Sequence, residues 1–402
     1  MLHDETPDAP ALDAPPVDAP PLDGLLVADF SRVLAGPLAT MTLADLGADV
    51  VKIERPGTGD ETRSWGPPWT PAGTSSYFES VNRGKRSVAL DLSSPDDLRI
   101  ARDLAARADV VVDNFRPGLM ASYGLAHDDV AALNPRVVTC SISGFGSGAG
   151  AEIPGYDFVV QAVGGLLSIT GDPGGDPMKA GVALVDVLTG KDAVIGILAA
   201  LRERETSGRG QHVEVNLLSS LLGSLVNQAS GYLATGRAPG RLGNRHPSIA
   251  PYETLRCQDG PLAVAVGNDE QFARFARALG LAWLVDDARF RTNADRVAHR
   301  DELATALEQI LTTRPAEHWQ SVLLEARVAA GRVGSVADGL ALAESLGLDP
   351  TFVPAPGRSP QVANAISFSR TPTVRASAPP GLGDTPASDL DSDPAPLRKA
   401  DA

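Results

Sequence analysis

Gly24-Leu25-Leu26-Val27-Ala28-Asp29-Phe30, followed by Ser31-Arg32-Val33-Leu34-Ala35-Gly36-Pro37 and an amphipathic stretch to Leu46, decides the fold. Its first seven residues are an apolar run of strand length, and Gly47 supplies a helix stop. Asp49-Val50-Val51-Lys52-Ile53-Glu54 then reads as a second strand. Working outward, residues 87–92 form the next strand, and Ser94-Pro95 opens a helix through Arg107. Residues 109–115 and 136–142 continue the alternation. Strands of continuous Val, Ile and Leu separated by helices indicate a parallel sheet covered on both faces. The first half of the chain therefore reads as a doubly wound, Rossmann-like α/β layer.

Helical patterns follow over residues 156–169, 185–205 and 217–233. A loop rich in Gly, Arg, Asn and Pro covers residues 237–251 and marks a domain boundary. Residues 253–257 and 262–266 flank Gln258-Asp259-Gly260-Pro261, a hairpin signal built on Asp-Gly. Helical patterns fill residues 269–345, including 300–311 and 315–330. The expected organisation is a large Rossmann-like domain from residues 22–225 plus 335–390 and a smaller α+β domain at 226–334. Residues 1–21 and 391–402 are read as tails, the first a disordered acidic one. Both are rich in Pro, Ala and Asp, which bury too little apolar surface to offset the entropy of ordering.

The chain has 402 residues, 43% hydrophobic and 21% charged, enough for two or three packed domains. A formal net charge of −15 excludes a general nucleic-acid binder, which needs a phosphate-neutralising basic face. The two cysteines, Cys140 and Cys257, lie far apart, which argues against a disulfide framework or zinc ribbon and fits a reducing cytoplasm. The N-terminal stretch lacks the basic and apolar regions of an export signal, and no apolar run is long enough to span a membrane.

Several chemistries fall away with their motifs. The turn after Phe30 lacks the Gly-x-Gly-x-x-Gly that lets backbone approach a pyrophosphate. Neither a P-loop nor a Gly-x-Ser-x-Gly elbow occurs. The histidines are scattered without metal-ligand spacing, so no metal site is expected. One carboxylate stands out. Asp186 sits in the apolar run Gly181-Val182-Ala183-Leu184-Val185-Asp186-Val187-Leu188-Thr189-Gly190, where an unpaired charge is costly. It is either a helix N-cap or a reactive acid, and the two roles are compatible because a helix start stabilises an anion.

A resemblance bears on that choice. Val27 to Pro37, Gly47-Ala48-Asp49-Val50-Val51-Lys52-Ile53-Glu54-Arg55-Pro56-Gly57, Asn82-Arg83-Gly84-Lys85-Arg86-Ser87, Asp113-Asn114-Phe115-Arg116-Pro117-Gly118, Gly155-Tyr156-Asp157 and Thr206 to Gln211 resemble, in order, the class III CoA-transferases. That family includes formyl-CoA and carnitine CoA-transferases, with α-methylacyl-CoA racemase as a relative. The likeness runs from about residue 22 to 390 and implies an acyl-CoA:carboxylate CoA-transferase. It maps the catalytic aspartate onto Asp186, which would attack the donor thioester and then carry CoA as an aspartyl thioester. It maps CoA contacts onto Val33, Leu34, Arg55, Leu90, Asn114, Phe115 and Arg116. Arg55 and Arg116 suit phosphate through their guanidinium forks, or are exposed arginines after strands.

The resemblance also implies that no metal or redox cofactor is required, CoA being a substrate. The partners are then an acyl-CoA donor, succinyl-CoA among the candidates, and a small carboxylate acceptor, with neither nucleic acid nor membrane. It implies an interlocked homodimer. Two departures from the family pattern stand out: Ser122 falls where some members have a basic residue, and Gly267-Asn268 is the nearest feature to a long glycine loop. The racemase alternative needs a histidine where Tyr156 stands, and tyrosine, with an ordinary pKa near ~10, is a poor base at neutral pH. A third reading is a non-catalytic CoA-binding protein. For a dicarboxylate acceptor, Arg245 or His246 would supply the cation, unless each is simply a loop residue.

Overall fold

The computed structural model describes residues 19–392 except Arg375. The expected tails at 1–21 and 391–402 fall almost wholly outside the described residues. By contacts the chain forms two compact units. One runs through Tyr156, then Val185–Ser220, then from Pro350 on; the other is Asp157–Leu184 with Leu221–Asp349.

The first unit carries the expected α/β sheet. Strands β1 (Leu26–Asp29), β2 (Asp49–Glu54), β3 (Lys85–Ala89), β4 (Val110–Asp113), β5 (Val138–Ser143) and β6 (His212–Asn216) lie in the order β3-β2-β1-β4-β5-β6, all parallel. This is the doubly wound order with a switch point between β1 and β4. Helices α1 (Ala35–Asp45), α2 (Pro95–Arg107), α3 (His127–Leu133) and α4 (Leu184–Ser207) belong to the same run of the chain. α2 starts with Pro95 in its first turn and carries Asp96 and Asp97 there, favourable for the helix dipole. The core on this side joins Ala28, Val51, Val88, Leu104, Val111 and Leu125. The C-terminal segment returns to the same layer: Val374 N–H donates to Asp45 O, Thr385 N–H to Ser87 O, and Leu390 is buried in that core.

Two strands depart from the sequence reading. β3 begins at Lys85, two residues earlier than expected, because its charged residues are paired as described below. β6 was not expected: His212-Val213-Glu214-Val215-Asn216 alternates polar and apolar, as an edge strand can, rather than running apolar throughout.

In the second unit the expected hairpin is present as β7 (Tyr252–Arg256) and β8 (Pro261–Ala265), antiparallel. A third strand, β9 (Ala329–Arg332), pairs with β8 where the sequence pattern suggested the end of a helix. Leu262, Phe272, Phe275, Leu284, Leu307 and Leu323 form the core against helices Asp269–Ala278, Arg300–Leu311 and Ala316–Glu325. Asn268 caps the first of these helices, its side chain accepting from Gln271 N at 2.8 Å. Two expected helices are interrupted. The 156–169 stretch breaks at Gly164-Gly165, with Gly165 at φ +93, and the 217–233 stretch breaks at Leu225-Val226. No helix among the described residues is long and apolar enough to cross a membrane.

Candidate functional site

The turn between β1 and α1 is held by side chains rather than by regular structure. Asp29 accepts from Ser31 N at 2.9 Å and from Ser31 Oγ at 2.5 Å. Lys52 Nζ donates to Ser31 O at 2.7 Å. The Asn114 amide closes on both groups of Arg32, accepting from its N–H at 2.8 Å and donating to its carbonyl at 2.6 Å. Asp60 accepts from Val33 N–H at 3.2 and 3.3 Å. Val33 has φ 70, a left-handed conformation rare for a β-branched residue. Gly36 is required one step later, since a Cβ there would stand 2.3 Å from Ser31 Cβ.

Beneath the turn lies a buried ionic cluster. Lys52 pairs with Asp60 at 3.0 Å and Lys85 with Asp29 at 3.0 Å, all four side chains inaccessible to solvent. Burial alone would raise Asp29, yet Lys85 and Lys52, helped by the Ser31 and Thr40 hydroxyls, hold it down at about 2. Asp60 is likewise lowered: Lys52 and the Thr62 bonds outweigh its burial. Burial draws Lys85 down to about 8 against the pull of Asp29, which leaves it charged at neutral pH. Glu54, at the end of β2, accepts from Arg63 at 2.8 and 2.6 Å and from Ser87 Oγ at 2.6 Å.

A cavity of about 280 Å³ opens over the carboxyl ends of β1, β2, β3 and β4. It gathers Arg55, Leu90 and Phe115 from the expected contacts. It also recruits Arg32, Asp91, Leu92, Ser93 and Tyr123, which the sequence reading did not single out. The rule that ligands sit outside the carboxyl ends of parallel strands points to Asp91–Ser93, directly after β3. The Arg32 guanidinium lies 5.0 Å from the centre of the Phe115 ring and reaches Glu61 at 2.9 Å. Asn114 is placed differently from its neighbours: its amide is engaged with Arg32 backbone. Ser122 turns its hydroxyl onto Leu119 O.

Arg116 faces a second cavity, of about 360 Å³, over β4, β5 and β6, with Asp113, His127, Ser141, His212 and Glu214. It pairs with Glu152 at 3.2 Å, both side chains largely exposed. Burial pushes the Asp113 carboxyl up to about 6, against bonds from Ser141 Oγ and Phe115 N. His127 and His212 both bond the Thr139 hydroxyl, at 3.0 and 2.8 Å.

Asp186 is the third residue of α4, inside its first turn and half-buried. It is therefore a first-turn residue rather than the cap, still where the helix dipole favours a carboxylate. Val185 and Thr189 beside it are fully buried. Gly190, four residues on and hence on the same helix face, lies so close to α1 that a Cβ would stand 2.7 Å from Ala35 O. That close approach sets the Asp186 face of α4 against the start of α1 at Ala35 and Leu38.

Of the other residues named from the sequence, Tyr156 ends the first run of the first unit, and Asp157, Arg245 and His246 belong to the second unit. Tyr156 is 63% exposed. Asp157 accepts from Gln161 Nε2 at 2.6 Å. Arg245 is divided between Glu253 at 3.3 Å and Asp301 at 2.6 Å, and the His246 ring lies against Tyr252. Among the described residues no cluster of three or more His, Cys, Asp or Glu could hold a metal ion.

Comparison with known proteins gives a consistent picture. Residues 22–385 match the model of CoA-transferase family III. Succinate–glutarate CoA-transferase of Agrobacterium fabrum is 42% identical over 374 residues, covering 90% of this chain and 92% of that protein. Acetyl-CoA:oxalate CoA-transferase of Acetobacter aceti is 41% identical, covering 80% and 83%. A solved CAIB/BAIF family protein from Brucella suis superposes with a TM-score of 0.84 at 41% identity, covering 93% of this chain and all of that one.

Proposed function

Because this chain belongs to CoA-transferase family III and is a transferase enzyme, we propose that it moves CoA from a donor thioester to a small dicarboxylate through an aspartyl-CoA intermediate at Asp186. The observation that carries the reading is the placement of Asp186 in the first turn of α4, on the face that Gly190 presses against the start of α1. The dicarboxylate assignment rests on relatives named for glutarate and oxalate. Succinyl-CoA is our donor of choice.

The chemistry runs in balanced exchanges. An Asp186 oxygen attacks the thioester carbonyl, the C–S bond breaks, and CoA leaves as thiolate, giving a mixed anhydride. Thiolate attacks the aspartyl carbonyl and expels the donor acid, which departs with one former Asp186 oxygen. The acceptor carboxylate then attacks the aspartyl thioester and releases thiolate. Attack of that thiolate on the acceptor acyl carbon forms the new thioester and restores Asp186, now bearing one acceptor oxygen. A carboxylate serves as both nucleophile and leaving group, so one hard step becomes several easier ones. Arg32 and Arg55, on the walls of the first cavity, are the cations we assign to the CoA phosphates. Val33, Leu34, Leu90 and Phe115 would line the path of the cofactor-like substrate, with Asn114 shaping it through Arg32. Arg116 would reach CoA from the neighbouring cavity. We also propose that two copies interlock as a homodimer, which sedimentation would test against the 41.7 kDa of one chain.

The test uses succinyl-CoA, a panel of dicarboxylates and acceptor carboxylates labelled with heavy oxygen. Expected are exchange of the CoA ester, label on the peptide containing Asp186, and loss of turnover by about a thousandfold or more in Asp186→Ala. Exchange that survives Asp186→Ala, or label that never reaches Asp186, overturns the proposal. Solvent deuterium entering the α-carbon of a 2-methylacyl-CoA without an acceptor would mark a racemase. CoA binding with neither outcome would mark a non-catalytic binder.

A further inference from the structure

Lysine in the middle of β2 needs an explanation. Val50, Val51 and Ile53 around it are apolar and buried, as a central parallel strand requires, yet Lys52 is as buried as they are. A buried ion pair is weak evidence for stability, because desolvation offsets most of the attraction and an apolar residue would pack there without that penalty. What Lys52 does instead is visible in its bonds. Its ammonium joins the carbonyl of Ser31 at 2.7 Å to the carboxylate of Asp60 at 3.0 Å. Asp60 in turn receives Val33 N–H. The lysine thus ties the first residue of the turn to the group that holds its third.

The turn depends on such ties. From Ser31 N to Val33 N, five consecutive backbone polar groups are satisfied by Asp29, Lys52, Asn114 and Asp60 side chains. Val33 at φ 70 is a conformation that persists only when its surroundings over-determine it. Relaxing it would swing Val33 and Leu34, and with them the start of α1 where Ala35 meets Gly190.

We propose that Lys52 is a positioning residue for the acyl-CoA substrate: by bridging Ser31 O and Asp60 it holds the Val33-Leu34 turn in its left-handed form. This rests on the transferase reading for the identity of the ligand. Lys52 touches no reacting atom. Its loss lowers the fraction of molecules whose turn is competent, and apparent affinity falls by that fraction.

The experiment compares full-length wild type with Lys52→Met and Asp60→Asn. CoA affinity is measured by calorimetry, and KM for succinyl-CoA and for the acceptor by steady-state rates. If about one molecule in ten keeps the turn, Lys52→Met binds CoA about tenfold more weakly and KM for the thioester rises alike. The rate at saturation and the acceptor KM stay within about twofold, since saturating thioester draws the population into the competent turn and so restores the start of α1 against Gly190. Asp60→Asn keeps an oxygen for Val33 N–H and loses the charge that orients Lys52, so its affinity falls by about threefold. Unchanged CoA affinity in a folded Lys52→Met, or equal losses in both KM values and in the rate, overturns the proposal. Should Lys52→Met fail to fold, Asp60→Asn decides alone: the threefold loss upholds the proposal and unchanged affinity overturns it. A wild type that binds CoA but exchanges none sinks the transferase reading and leaves the calorimetric comparison standing.

Discussion

The two strands that meet at the switch point of the six-stranded sheet end in the same residue type and treat it in opposite ways. β1 ends in Asp29 and β4 in Asp113, neighbours across the switch point, both buried. Asp29 faces Lys85 and Lys52 and is held near 2. Among the described residues, Asp113 receives the Ser141 hydroxyl and the Phe115 amide, and burial pushes it up to about 6. Cys140, on the adjacent strand, is driven up to about 12 by burial and by the Asp113 charge. Burial is common to both halves, so burial alone does not set the charge state. What differs is whether a cation is carried into the interior to meet the acid. The half with lysines underlies the strained Val33 turn, where fixed charges can hold backbone in place. The other half keeps a carboxyl that gains or loses its proton with little provocation.

Removing the cation is the strongest way to break this contrast. Lys85→Met leaves Asp29 buried without its ion-pair partner, while Pro37 O and Asn82 Oδ1 lose a donor. Loss of one member of a buried pair costs about 3–5 kcal/mol, read as a shift of the denaturant midpoint at constant slope. Asp29 has a depressed pKa, so its contribution is present above about pH 4 and is lost as pH falls through about 2. The gap between wild type and variant should therefore close in strong acid. A loss under about 1 kcal/mol at pH 7 would mean that the lysine is not what keeps Asp29 ionised.

The contrast was legible in the sequence only in part. The apolar runs before Asp29, Glu54 and Asp113 announced the strands, whereas the cavity at their carboxyl ends emerges only from the structure. Arg55, Leu90 and Phe115 were supplied by the resemblance to the class III CoA-transferases, and the fold brings these three to one cavity. Arg32 and Tyr123 were not, since their types occur throughout the chain and only the fold brings them to one wall. Lys52 and Lys85 were hidden for a different reason. A charged residue in a strand reads as a solvated position, and its partner stands eight residues away for Lys52 and fifty-six for Lys85. β6 was missed because an edge strand alternates, and β9 because Ala329-Ala330-Gly331-Arg332 carries no β-branched side chain to announce it.

The second half of the sheet makes its own prediction, of intermediate size and opposite sign in pH. Asp113 has a raised pKa, so its contribution is full below about pH 4 and is lost as pH rises through about 6. Two pKa units correspond to about 3 kcal/mol. In Asp113→Asn that fall disappears, because the amide keeps an oxygen for Phe115 N and does not ionise. Wild type and variant should be of similar stability at pH 4, and the variant should be more stable by about 2–3 kcal/mol at pH 7. Urea titrations across that range measure the difference, in which the other titrating groups cancel. A difference that stays flat from pH 4 to 7 would show that Asp113 ionises as easily as an exposed acid. The two halves of the sheet would then not differ in the way argued.

The smallest effect comes from the residue next to Lys85. Arg86 follows it on β3 and so points to the opposite face of the sheet. There it binds Asp49 through two parallel bonds, at 3.1 and 2.5 Å, with 30% and 51% of the two side chains exposed. The pair is bidentate where Lys85 meets Asp29 through a single bond, and it stands in solvent where that bond is buried. Exposed pairs contribute about 0–1 kcal/mol and are screened by salt, so Arg86→Ala should cost under about 1 kcal/mol at low ionic strength and less in about 1 M salt. Lys85→Met should hold its cost under the same salt, because its partner is out of reach of ions. The adjacent pair thus separates geometry from burial on one strand. If Arg86→Ala proved as damaging as Lys85→Met, the bonds themselves would carry the energy, and the lack of a cation bonded to Asp113 among the described residues would no longer explain why its proton is so easily kept.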